Sequence, residues 1–182
     1  MRRHTFTALL LGATALACGT AAAQQQAAPT PAAPPNLDAI PEKMPFNIPY
    51  GSPISANRAD SLVRAAVDEA TKKGWPMNIA VVDSGGNLVS FLRMDGAQLA
   101  SISIAEHKAR AAAKYRRPTK LLEDAVQKAD LKFILTLDDV IASRGGIPLV
   151  EDGKLIGAIG CSGGSGSQDE AVCQAGAAVV NK

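Results

Sequence analysis

Histidine is nearly missing from this chain of 182 residues, which has two, His4 and His107. Set the amino-terminal segment aside and one imidazole remains, so any Ser-His-Asp set must use it, and none is visible. Cysteine is scarce as well. Cys18, Cys161 and Cys173 form neither a CxxC pair nor a zinc-ligand spacing. Nor is there a surplus of one charge. Basic residues number 19 and acidic residues 17, and residues 1–23 hold two of the arginines and no acid. The remainder is therefore neutral, which argues against nucleic acid as a partner, because holding phosphates needs a basic excess. Beyond residue 23 no apolar run is long enough to span a bilayer. Motifs for NAD or nucleotides are lacking, and Gly85-Gly86 lacks the strand-to-helix context in which glycine loops bind phosphate. Asp138-Asp139 and Asp169-Glu170 are adjacent in sequence, so their carboxylates diverge and make no acid/base pair by spacing.

What is present begins with an export signal. Met1-Arg2-Arg3 supplies the positive start, Phe6 to Ala17 the short apolar run, and Ala21-Ala22-Ala23 the cleavage site. Leu16-Ala17-Cys18 offers the alternative of a lipoprotein acylated at Cys18. Either way a periplasmic or secreted location is expected. Residues 24–54 are rich in Gln, Ala and Pro, a linker or arm in which proline blocks helix and central strand alike. Phe46, Ile48 and Tyr50 near its end are suited to pack on the domain or on a neighbour.

The folded domain then runs over 55–182. Residues 55–74 have helical spacing, with Ser55 as N-cap and Gly74 as stop. Met77–Asp83 and Leu88–Arg93 are apolar strands joined by Ser84-Gly85-Gly86-Asn87, a link too short for anything but an antiparallel pair. A long helix over 98–115 is apolar around most of its circumference, with Glu106, Arg110, Lys114 and marginally His107 as its polar arc. Lys108 lies off that arc, so it either snorkels to the edge or pairs with a carboxylate, Asp95 being a candidate. Arg116-Arg117-Pro118-Thr119 breaks the helix and starts another short one, to about Lys128. The arginines suit either the helix carbonyl end or the carboxylates of a ligand. Residues 130–144 read as a loop with a short helix or strand. Two strands flank Glu151-Asp152-Gly153, and a glycine corner leads to a final helix. There Ser167 and Glu170 suggest a capping box, and Val172, Ala175, Gly176 and Val179 form a small-residue stripe. Cys161 and Cys173 either bridge strand to helix or stay as buried thiols. Asp169 and Glu170 already occupy the positive end of that helix, so the corner reads as scaffold rather than anion site.

IAVVDSGGNLVSFLRMDGA, the Lys108-Ala109 pair, Pro118-Thr119, GGIPL and IGAIGCSGGSGSQDEAVCQAG occur in order across residues 55–180. In these the chain resembles the GlcG/HbpS-like family of haem-binding, haem-degrading-type proteins, also found fused in cobalamin-adenosyltransferase chains. The resemblance implies an α+β fold, a profilin-like antiparallel sheet flanked by helices, and homo-oligomers packed through helices. It implies haem or a related tetrapyrrole as ligand and, for exported members, a role in haem or redox sensing. It names a ligand class rather than an iron ligand.

Haem requires an apolar slot, a donor for iron and cations for the propionates. The long helix offers an alanine face, His107 as the sharpest iron donor, Tyr115 and Thr119 as weaker donors, and Arg116 and Arg117 as cations, with Lys108 beside them. The bland alternative for His107 is a surface histidine beside Glu106 and Lys114. Two other function classes stay open: an accessory protein or enzyme of small 2-hydroxy-acid (glycolate-type) metabolism, and an oligomeric module presenting itself to a membrane sensor. Any haem breakdown would be chemistry of the bound iron, with the protein holding the macrocycle.

Overall fold

A computed structural model of the chain describes Asn36 and residues 38–181. The export signal, Cys18 and the first part of the proline-rich stretch lie outside the described residues. Along the chain come α1 (Ala56–Lys73), β1 (Asn78–Asp83), β2 (Leu88–Arg93), α2 (Ser101–Tyr115), α3 (Thr119–Gln127), β3 (Gly146–Glu151), β4 (Lys154–Ser162) and α4 (Gly166–Ala177). The strands form one antiparallel sheet in the order β2-β1-β4-β3. The architecture is the expected α+β, profilin-like sheet flanked by helices.

Local chemistry fixes the corners. Gly74 ends α1 in the left-handed region (φ 69°), and its N–H reaches Thr71 O. Ser55 holds the N-cap position, but its side chain makes no capping bond. Between β1 and β2 the Asp83 carboxylate accepts from the Gly85 and Asn87 N–H groups at 2.8 and 2.9 Å. This turns the chain without any ligand. The β3–β4 hairpin turns at Asp152 and Gly153, both at positive φ (48° and 72°), as a type I′ turn requires.

Alternation along β1 sends side chains to two cores. Ile79 and Val81 join Leu62, Ala66, Ile159 and Val172 on the α1/α4 side, while Ala80 and Val82 join Ala105, Ala109, Ala112 and Ala158 under α2. The sheet is thus covered on both faces. The alanine content of α2 follows from its closeness to the sheet. A Cβ on Gly160 would lie 2.2 Å from Ala105 O, and one on Gly146 would lie 2.3 Å from Lys108 O. The helix backbone itself rests on β4 and β3, and only small residues allow that approach.

Two expectations are corrected and one choice is settled. The box at the start of α4 uses Ser165 and Gln168, not Ser167 and Glu170, because the helix begins one residue after Ser165. Val179 is exposed, since α4 ends at Ala177 and the stripe stops with it. Cys161 and Cys173, both fully buried, are joined in a disulfide with Cα atoms 5.6 Å apart, which resolves the choice between bridge and free thiols. Residues 130–144 hold one 3-10 turn, Lys132–Thr136, with Asp130 and Asp139 at positive φ.

Candidate functional site

Helix α2 divides its circumference between packing and chemistry. Ser101, Ala105, Lys108, Ala109 and Ala112 face inward and are buried. His107, Arg110 and Lys114, at i, i+3 and i+7, share the outer stripe. The Lys114 ammonium pairs with Asp139 at 2.6 Å, bringing the 130–144 segment onto that stripe. That hydrogen bond from Lys114 holds the Asp139 carboxyl below its ordinary range, with Arg110 and His107 adding smaller attraction. The β1–β2 turn abuts the same stripe, for a Cβ on Gly86 would meet Arg110 at 3.2 Å and Lys114 at 3.3 Å. His107 is half-buried and makes no hydrogen bond or ion pair among the described residues. An imidazole with two cations and a carboxylate close by is suited to donate to a metal while anionic groups are held beside it.

The other residues singled out in the sequence are engaged within the fold. The Tyr115 hydroxyl donates to Asp138 O at 2.6 Å. Arg116 closes α2 in the left-handed region (φ 52°), donates to Ile48 O at 3.0 Å and lies 5.5 Å from the Tyr50 ring centre. Arg117 donates to Tyr115 O, and its guanidinium sits 3.5 Å from the centre of the Phe46 ring. Burial there pushes Arg117 below the usual arginine range. The arm, through Phe46, Ile48 and Tyr50, therefore covers both arginines, and its next residues hydrogen-bond to β4 at Leu155 and Ile156. Thr119 is buried and accepts from Gly146 N–H at 2.9 Å.

Lys108 neither snorkels nor meets Asp95, which is exposed in the link after β2. Its ammonium pairs with Asp169 at 2.6 Å, the two residues being 1% and 2% exposed. The second Asp169 oxygen accepts from the N–H groups of Gly163 and Gly164, each at 3.0 Å. One carboxylate thus ties α2, the glycine corner and α4 together. A second anchor went unread in the sequence: Arg144 makes three hydrogen bonds to Glu123 of α3, two from its guanidinium (2.6 and 2.9 Å) and one from its backbone N–H (2.7 Å), and lies 3.8 Å from Glu170. Arg110 and Lys114, on the same polar arc as His107, are brought onto one stripe with Asp139 and the β1–β2 turn.

Recesses of about 230, 180 and 260 Å³ lie beside Arg58 and Lys154, beside Arg64 and Phe91, and beside Arg58 and Val180. None is lined by His107, and each is smaller than the roughly 300–1,000 Å³ usual for a small-molecule pocket. The α2 stripe lies outside all three.

Residues 54–178 match the family model described as haem degrading protein HbpS-like. Protein GlcG of Escherichia coli K12 is 40% identical over 109 residues, which are 60% of this chain and 81% of that protein. A solved double mutant of Streptomyces reticuli HbpS is 30% identical with a TM-score of 0.68, covering 81% of this chain and 100% of that one. The crystal structure of a PduOC:haem complex is 33% identical with a TM-score of 0.64, covering 71% and 96%.

Proposed function

Because this chain belongs to the HbpS-like family of haem degrading proteins, we propose that it binds haem or a related tetrapyrrole against the outer stripe of α2. His107 is the iron donor, and Arg110 and Lys114 hold the propionates. The observation that carries this reading is the stripe itself: an imidazole without a hydrogen-bond partner among the described residues, flanked by two cations on one helix face. The PduOC:haem complex, similar over most of this chain, supports the ligand class. Haem, when bound, supplies iron redox chemistry, and the protein's share is to hold and orient the macrocycle and limit water around it.

Because the stripe lies outside all three recesses, a second copy of the chain supplies the other side. Export to the periplasm or beyond belongs to the same reading, and the Cys161–Cys173 disulfide supports it, since such bonds persist in oxidising compartments. Haemin titrated into the full chain should give a saturable Soret shift. His107→Ala should move that band, and Arg110→Ala with Lys114→Ala should weaken binding without moving it. A wild-type spectrum equal to free haemin overturns the haem reading; an unchanged band in His107→Ala removes His107 from the iron.

A further inference from the structure

The stripe proposed for the ligand already holds a carboxylate of the chain itself. Asp139 accepts from the Lys114 ammonium at 2.6 Å, and Arg110 and His107 add attraction to the same carboxyl. All three side chains of the stripe thus act on one internal acid. A propionate is chemically the same group, and a charge-assisted bond to an ammonium suits either. A second carboxylate brought to Lys114 meets the charge of Asp139, so the two compete.

The pair is built to be exchanged. Its side chains are 44% and 31% exposed, whereas those of Lys108 and Asp169 are 2% and 3% exposed. An ion pair this open to water is weak. Asp139 also reaches Lys114 from a segment with little packing of its own. Residues 131–138 are bracketed by Asp130 and Asp139, both in the left-handed region (φ 55° and 59°). Between them lies the 3-10 turn Lys132–Thr136, which has no buried residue. Among the described residues the segment's hydrogen bonds to α2 are made at Asp138 and Asp139.

We infer that Asp139 is an internal competitor for the ligand: it holds the place of a ligand carboxylate on Lys114 and yields that place on binding. The inference rests on the reading of the α2 stripe as the wall that takes haem, and it assigns Asp139 to setting affinity and specificity rather than to touching the iron. A tetrapyrrole gains Lys114 only if it brings a carboxylate of its own. The site therefore favours the free acid over a neutral ester of the same macrocycle. The exchange also releases the end of the segment that carries Phe133, Leu135 and Leu137, all exposed.

Asp139→Asn removes the charge and keeps both the size and the tolerance of left-handed backbone. Asp130→Asn is the matched control, because Asp130 pairs with Lys132 at 2.8 Å and not with α2. In haemin titrations of the full chain, Asp139→Asn should bind about threefold tighter than wild type, and Asp130→Asn should bind like wild type. In a Lys114→Ala background Asp139→Asn should lose most of its gain, since the competition is for that ammonium. Without haemin, the Leu137 amide, which bonds to Ile134 O, should exchange faster in Asp139→Asn than in wild type. Equal affinity of Asp139→Asn and wild type overturns the competitor while leaving haem binding in place. So does an equal gain from Asp130→Asn, a full gain without Lys114, or an unchanged Leu137 amide. Spectra of free haemin with every one of these proteins overturn the haem reading, and the competitor with it.

Discussion

Replacing Asp169 by Asn tests the anchor under the glycine corner. The amide oxygen can still accept from the Gly163 and Gly164 N–H groups, but Lys108, 1% exposed, loses its counter-charge 2.6 Å away. Removing one partner of a buried pair costs about 3–5 kcal/mol, because the remaining charge stays desolvated. At about 4 °C per kcal/mol for a domain of this size, melting should fall by roughly 12–20 °C. Lys108→Met should also destabilise, though less, since Asp169 keeps two backbone donors. The double variant removes both charges and keeps the donors satisfied, so it should recover most of the loss. Urea unfolding of the four proteins gives the coupling, expected at about 2 kcal/mol or more. Near-additive effects, or a loss below about 1 kcal/mol for Asp169→Asn, would refute the claim that this pair holds α2 to α4.

Replacing Cys161 and Cys173 by Ala should cost roughly 3 kcal/mol in the same urea assay, the loop-closure contribution of a bridge spanning a separation of 12 residues. Glu123→Gln should show a pH-dependent loss. Hydrogen bonds from Arg144 hold Glu123 below its ordinary 4.5, so its contribution is present above that value and fades as pH falls through the folded value. The gap to wild type in urea midpoints should therefore be widest at neutral pH and close in acid. Phe46→Ala with Tyr50→Ala should free Arg116 and Arg117 and lower stability by about 1–2 kcal/mol, with faster amide exchange at Gly51 and Ile54, whose N–H groups bond to β4.

The elements were legible because each carries a local signal. The period of α1, the Asp152-Gly153 turn and the alternation in β1 fix structure within a few residues of themselves. The partners of polar residues were not legible, because long-range pairing leaves no spacing to read. Lys108 could be seen to lie off the polar arc of its helix, but nothing in the sequence ranks Asp169, 61 positions away, above Asp95. Arg116 and Arg117 show the same limit: two adjacent cations look free until the fold lays Phe46 and Tyr50 over them. The prolines mark the arm, and Phe46, Ile48 and Tyr50 are legible as residues that pack, but no spacing points to the arginines they cover.

The stripe proposed for haem differs, for a geometric reason, from the residues that proximity in sequence gathers. A reading by proximity in sequence gathers His107, Tyr115, Arg116 and Arg117, but the last two lie where the helix has already ended and its direction is lost. A reading by angle gathers His107, Arg110 and Lys114, and the Asp139 contact picks out that stripe independently. Exposed Phe133, Leu135 and Leu137 belong to the same segment, whose hydrogen bonds to α2 among the described residues are made at Asp138 and Asp139. Cations on the helix and apolar side chains on the neighbouring segment are the two materials that a flat, apolar, doubly anionic ligand needs. That combination, more than any single residue, makes the outer stripe of α2 the place to look for haem.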